Sequence, residues 1–186
     1  ITTPLTTNGS LVLYTWNDNE GKKAFWHSTS HVMAQALEEM YPGIKLTIGP
    51  AIENGFYYDV DFGNHKIGDA DFKAIETRVL EISKEKHEFK MRSATKAEAL
   101  ELYKNNEYKT ELITNLEDGT ITFCDHSTFT DLCRGGHIPN TGIIKAMKIL
   151  SVAGAYWRGD EKNKQLTRVY GISFPKQKDL TEYLEL

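Results

Sequence analysis

The run AMKILSVAGAYWRGDEKNKQLTRVYGISF, residues 146–174, sets the architecture of this chain. Its two halves, 146–159 and 165–174, are rich in β-branched, apolar and aromatic residues, and a charged turn through Asp160, Glu161, Lys162 and Lys164 parts them. That is the pattern of two strands folded back on each other. Working outward, IKLTIG (44–49) and GFYYDVDF (55–62) read as further strands with Asn54-Gly55 in the turn between them. LVLYTW (11–16) reads as a strand followed by a polar connector, NDNEGKK. LITNL and TITFC flank Glu117-Asp118-Gly119 as a hairpin, and STFTDLCRGGHIPNTG (127–142) reads mostly as loop.

Helical spacing interrupts these strands. From His27, the residues Val32, Met33, Ala36, Leu37 and Met40 recur at intervals of three and four until Tyr41-Pro42-Gly43 stops the run. Residues 70–90 carry Phe72, Ile75, Val79 and Ile82 on one side, with Asp69 or Asp71 as the cap. Thr95 and Glu98 have capping-box spacing for a short helix to about Tyr103, and residues 176–186 begin another. The fold expected is α+β, an antiparallel sheet with helices packed against it.

The totals narrow the class. The chain has 186 residues, 40% of them hydrophobic and 26% charged, which suits one domain with a core of its own. No apolar run is long enough to span a membrane. The start, ITTPLTTNGS, lacks Met and the layout of a secretory signal, so it reads as a boundary inside a longer protein. Two cysteines, Cys124 and Cys133, are too few for a disulfide framework and suit a reducing compartment. Net charge is −4, yet Lys145, Lys148, Arg158, Lys162, Lys164, Arg168, Lys176 and Lys178 face only Asp160 and Glu161 in their stretch. Such a local basic run can contact phosphates on an acidic domain.

Chemistry concentrates in two short motifs. His27 and His31 stand four apart at the start of a helical pattern, which puts both rings on one side, one turn apart. Ser28 after the first His excludes the metalloprotease signature, which requires Glu there. Cys133 and His137 are also four apart, in a loop where Gly135 and Gly136 permit tight backbone. The four together suit a tetrahedral Zn2+ site, or three ligands plus a water; the metal-free alternative uses the imidazoles as general bases. Asp131 can orient an imidazole from behind, and Lys109 falls at a strand start in EYKTEL. His65, His87 and His126 read as solvent-facing.

Four stretches, HSTSH (27–31), IGPAIENGFYYDVD (48–61), TDLCRGGHIPNTG (130–142) and AGAYWRGDEKNKQLTRVYG (153–171), resemble the threonyl-tRNA synthetase family, in the editing domain that precedes its catalytic core. The HxxxH and CxxxH pairs are shared with alanyl-type editing domains, while AYWRGD followed by QLTRVYG is similar to the threonyl type. The resemblance covers residues 22–186; residues 1–21 then fall to the tail of a preceding domain. Two departures stand out: Gly136 replaces a frequent Pro, which would loosen the loop, and Ser30 replaces a small apolar residue.

The resemblance implies a cytoplasmic hydrolase that removes serine wrongly joined to tRNA(Thr), as part of a homodimeric ligase whose ATP-dependent core and dimer interface lie outside this segment. It places the catalytic site on His27, His31, Cys133 and His137, with Lys109 and Asp131 as accessories. The single-stranded acceptor end calls for stacking and phosphate contacts, assigned to Tyr57, Tyr58, Tyr156, Trp157, Arg158, Lys162, Lys164 and Arg168. Two other readings remain: an alanyl-type zinc-dependent hydrolase, and a non-catalytic tRNA-binding module with structural zinc.

Overall fold

A computed structural model describes residues 4–186. The 146–174 run forms the hairpin expected of it: β7 (Ala146–Tyr156) and β8 (Gln165–Phe174) pair antiparallel from Ala146 opposite Phe174 to Tyr156 opposite Gln165, with one register shift between Ile149 and Ser151. Beside β8 lies β3 (Gly55–Asp61), and β1 (Lys45–Leu46) and β2 (Ala51–Ile52) both pair with β3. Every pairing is antiparallel. The architecture is α+β.

Two long helices cover the sheet. α1 (Asn19–Met40) is buried almost continuously from Phe25 to Leu37, and α2 (Asp69–Lys84) lays Phe72, Ile75, Val79 and Ile82 on the same core. A helix apolar on one stripe is a surface helix; one buried all round, as α1 is, lies between layers. Polar pins fix its depth: Trp26 Nε1 donates to Ser173 O at 3.0 Å, and the Thr29 and Ser173 hydroxyls are 2.7 Å apart. On the other side of α1 sits a smaller sheet of β4 (Lys90–Ser93), β5 (Thr122–His126) and β6 (Phe129–Leu132). α3 (Lys96–Leu102) and α4 (Glu107–Thr114) build a second core with it from Ala99, Ile113, Ile121 and Phe123. α5 (Gln177–Glu185) follows β8 and buries Leu180.

Several expectations fail, each for a physical reason. α1 begins at Asn19, so most of the polar NDNEGKK run is its first turn; Asp18 occupies the N-cap position with its carboxylate turned to Thr15, and the helix reaches solvent there before its burial starts at Phe25. LVLYTW forms no strand: Leu11, Val12 and Leu13 are exposed and only Trp16 packs inward, edge-on to Phe25 at 4.9 Å. The LITNL segment is not half of a hairpin. Its first three residues end α4, which Asn106 nucleates by accepting from Lys109 N at 3.1 Å, and Lys109 is therefore helical. Residues 129–132, expected as loop, form β6. α2 stops at Lys84, and its cap is Gly68, with Asp71 reaching back to the Gly68 N–H at 2.9 Å. The capping box at Thr95 and Glu98 forms as the spacing requires.

Candidate active site

The α1 helix delivers His27 and His31 to one side, with their Nε2 atoms 3.2 Å apart. Opposite them, β6 runs into a loop whose period-two geometry turns Asp131 and Cys133 to one face. Gly135 and Gly136 then take φ of +99° and +82°, backbone that residues with side chains avoid, and bring His137 back toward α1. Gly135 N–H also donates to Cys133 Sγ at 3.2 Å. The result is convergence: Cys133 Sγ lies 3.1 Å from His137 Nε2 and 3.6 Å from His27 Nε2. The His137 ring stacks on His27 (4.4 Å between centroids) and on Phe89 (4.9 Å, 6° between planes).

Three of these groups, His27, His31 and Cys133, edge a cleft of about 960 Å³, and His137 stands behind them. Its wall is closed by Ile48, Gly49 and Pro50, and Ser30 holds that turn by a 2.6 Å bond to Gly49 O. A side chain at Gly49 would meet the Tyr58 ring 2.1 Å from its Cβ, so the turn requires glycine. Ser30, the odd residue between the histidines, is thus a tie rather than a loss.

Deeper in the same wall is a buried ion pair. Lys109 Nζ is 2.5 Å from Asp131 Oδ1, Tyr58 Oη donates to Asp131 Oδ2 at 2.6 Å, and the ammonium is 3.3 Å from Tyr58 Oη. Asp131 was expected to orient an imidazole. Its closest approach to one is 3.8 Å, to His31 Nε2, too long for a hydrogen bond, because both its oxygens are taken by Lys109 and Tyr58.

Burial controls the protonation of the cluster. Desolvation, offset in part by backbone bonds to the 135–136 loop, lowers the His27 pKa; desolvation and neighbouring imidazoles push His31 well below its usual value. His137 falls to about 3, mainly by desolvation, and burial raises the Cys133 thiol to about 11. At neutral pH the three imidazoles are neutral bases and the cysteine is a thiol.

The donor set fits a tetrahedral metal. With Zn–N near 2.0–2.1 Å and Zn–S near 2.3 Å, adjacent ligand atoms in a tetrahedron sit about 3.3–3.6 Å apart. Three of the six pairs span 3.1–3.6 Å, and the set as a whole spreads over up to 4.8 Å, so a bound ion would draw the outlying donors inward. His27, His31, Cys133 and His137 are the residues that would hold Zn2+.

The residues expected to meet nucleic acid divide sharply. Tyr58 is fully buried and bonded to Asp131, and Trp157 is buried against Tyr108 with Nε1 on Glu111, so neither presents a face to a base. Tyr57 is half-buried under the Arg168 guanidinium, 3.9 Å above its ring, and Arg168 is held in a two-bond fork by the buried Asp59. Lys164 is bound to Asp61, itself buried. Tyr156 and Lys162 are exposed, and Arg158 makes a surface pair with Glu111 that is cheap to exchange for a phosphate. His126, expected in solvent, is buried between Phe89 and Phe129, and burial lowers it to about 4. The burial of Tyr58 could have been read from the inward alternation of Phe56, Tyr58 and Val60.

Comparison with known proteins adds the wider context. Residues 121–170 match the model of the threonyl and alanyl tRNA synthetase second additional domain. The chain is 84% identical over 186 residues, all of it, to the threonine–tRNA ligase of Flavobacterium psychrophilum, covering 29% of that protein. It is 84% identical over 184 residues to that of Flavobacterium johnsoniae and 60% over 185 to that of Parabacteroides distasonis, covering 28% of each. The chain therefore spans under a third of the length of these relatives. No helix among the described residues is long and apolar enough to cross a membrane.

Proposed function

We propose that this chain, which belongs to the threonyl-tRNA synthetase family and carries its second additional domain, is the proofreading hydrolase of such a ligase, cleaving the ester that joins serine to the terminal ribose of tRNA(Thr). The observation that carries this reading is the meeting of His27, His31, Cys133 and His137, the first three of which line one cleft together with Lys109. Joining threonine to tRNA with ATP is assigned to the remainder of the ligase, in the cytoplasm.

Serine lacks one methyl of threonine, and a missing methyl is worth only about 1–3 kcal/mol of selectivity in a single pocket. A second site that admits serine and rejects the larger side chain multiplies that selectivity. In the cleft, a water between the imidazoles loses its proton to His27, His31 or His137 as it attacks the ester carbonyl. The carbonyl carbon becomes tetrahedral; the bond to the ribose oxygen then breaks, and the proton passes to that oxygen. Lys109, fixed by Asp131 and Tyr58, offers positive charge to the substrate or to the developing oxyanion. Cys133 is a poor nucleophile while its thiol holds its proton, and it serves better as a contact that positions water. Zn2+ held by three of the donors, with the fourth position open to water, would lower the pKa of that water and polarise the ester.

Tyr156, Lys162 and Arg158 are the exposed groups suited to the acceptor end. Replacing His27 by Ala and His137 by Ala tests the assignment. Each is expected to lower seryl-ester hydrolysis by about 100-fold or more, in the range for loss of a general base. Full activity in both variants contradicts the site.

A further inference from the structure

Ser28 follows His27 in α1 and is fully buried. Its hydroxyl meets three groups. It donates to Ala24 O, one turn back, at 2.7 Å; it accepts from Ile138 N–H at 3.0 Å; and it is 3.0 Å from His137 Nδ1. A serine hydroxyl has one proton and two lone pairs. With the proton on Ala24 O and one lone pair on Ile138 N–H, what remains for His137 is a lone pair, which requires a hydrogen on Nδ1.

From this count we propose that Ser28 is a positioning residue that holds His137 in its Nδ1–H tautomer, leaving Nε2 as the bare nitrogen that faces Cys133. A neutral imidazole has one donor nitrogen and one acceptor, and the partner of the first decides the identity of the second. The 3.1 Å approach of Nε2 to Cys133 Sγ puts the bare nitrogen at the converging point of the cluster. The same requirement holds whether Nε2 takes a proton from water or binds an ion. The stacking of His137 on Phe89 and His27 fixes the plane of the ring but not which nitrogen carries hydrogen; the Ser28 contact at Nδ1 bears on that, and the Cys133 thiol at Nε2 favours the same tautomer. The Ile138 bond adds a second function: the same oxygen ties the glycine loop to α1, so ring and loop are set by one atom.

The catalytic consequence rests on the hydrolase reading above, whereas the tautomer is a property of the chain alone. The test uses this chain with nitrogen-15 histidine, treated with chelator so that no ion dictates the tautomer. NMR should show a pyrrole-type Nδ1 and a pyridine-type Nε2 for His137. In Ser28→Ala that preference should be lost for His137, with His27 and His31 keeping their own patterns. The kcat for the seryl ester should fall about 10- to 100-fold, the usual cost of losing the group that orients a reactive imidazole, with KM nearly unchanged. An Nε2–H form of His137 in the unmodified chain overturns the proposal without reference to any variant. So does a folded Ser28→Ala chain with an unaltered tautomer. If no ester is cleaved by either protein, the hydrolase reading fails while the NMR result still decides the role of Ser28.

Discussion

Breaking the Lys109–Asp131 pair should cost this protein a large part of its stability, and the cost should be strongly non-additive. Both side chains are nearly sealed, 2% and 4% exposed, with 2.5 Å between Nζ and Oδ1. Removing one member of such a pair strands the other charge in the interior, at about 3–5 kcal/mol. In Lys109→Met the Asp131 carboxylate keeps only the Tyr58 hydroxyl; in Asp131→Asn the ammonium loses its counter-charge and keeps only neutral partners, the amide oxygen and Tyr58. Against a total of about 5–15 kcal/mol for a domain, each change is severe, and at about 2–4 °C per kcal/mol it lowers Tm by roughly 6–20 °C. The double variant strands no charge, so it should be less damaged than the sum of the singles by about 2 kcal/mol or more. Urea unfolding at pH 7, followed by tryptophan fluorescence and circular dichroism on all four proteins, measures this. Single costs below about 1 kcal/mol that simply add would refute the reasoning, because they are the signature of a solvated pair.

Other consequences follow from the same geometry. Gly136→Pro should disorder the His137 loop and abolish ester hydrolysis, since proline fixes φ near −65° where this backbone has +82°; retention of activity would show that the loop adopts another path. Gly136→Ala should unfold at lower urea by about 1–2 kcal/mol. Acid should destabilise the chain: His126 titrates near 4 and His137 near 3 when folded, against 6.5 in the unfolded chain, so the unfolded state takes up protons first. Stability is therefore complete above pH 6.5 and drains away as pH falls through 4, with about 3 kcal/mol from His126 alone. His126→Phe should flatten that dependence, which pH-dependent urea titration reads; an unchanged profile counts against a buried neutral His126. Added Zn2+ should raise Tm of the chelator-stripped chain with one ion per chain, and His31→Ala should remove the effect; no shift in either protein counts against a metal at the four donors.

The parts of the molecule governed by strong local patterns could be read from sequence. The β7–β8 hairpin, the apolar stripes of α1 and α2 and the capping box at Thr95 all follow from periodicity or short-range hydrogen bonding. So does the pairing of His27 with His31, because helix geometry puts residues four apart together. The meeting of that pair with Cys133 and His137 is a long-range event, and no spacing rule contains it; resemblance supplied it. Errors fell where tertiary contacts overrule propensity. LITNL has strand-like composition but is caught in α4 by the Asn106 cap, and LVLYTW has no neighbouring strand among the described residues. Ser28 was weighed only as the residue that spoils a metalloprotease motif. Its role needs Ile138 and His137, more than a hundred positions away. The basic stretch divides for a similar reason: charge is visible in sequence, but the commitment of Arg168 to Asp59 and of Lys164 to Asp61 is not.

The most direct measurement is the rate of ester loss from serine-charged and threonine-charged tRNA(Thr) incubated with this chain, each with and without chelator. The account predicts that serine is released and threonine retained, and that His27→Ala and His137→Ala leave both esters intact. Binding of the charged tRNA with neither ester cleaved, in either arm, would contradict it and leave a tRNA-binding module built around the same four side chains.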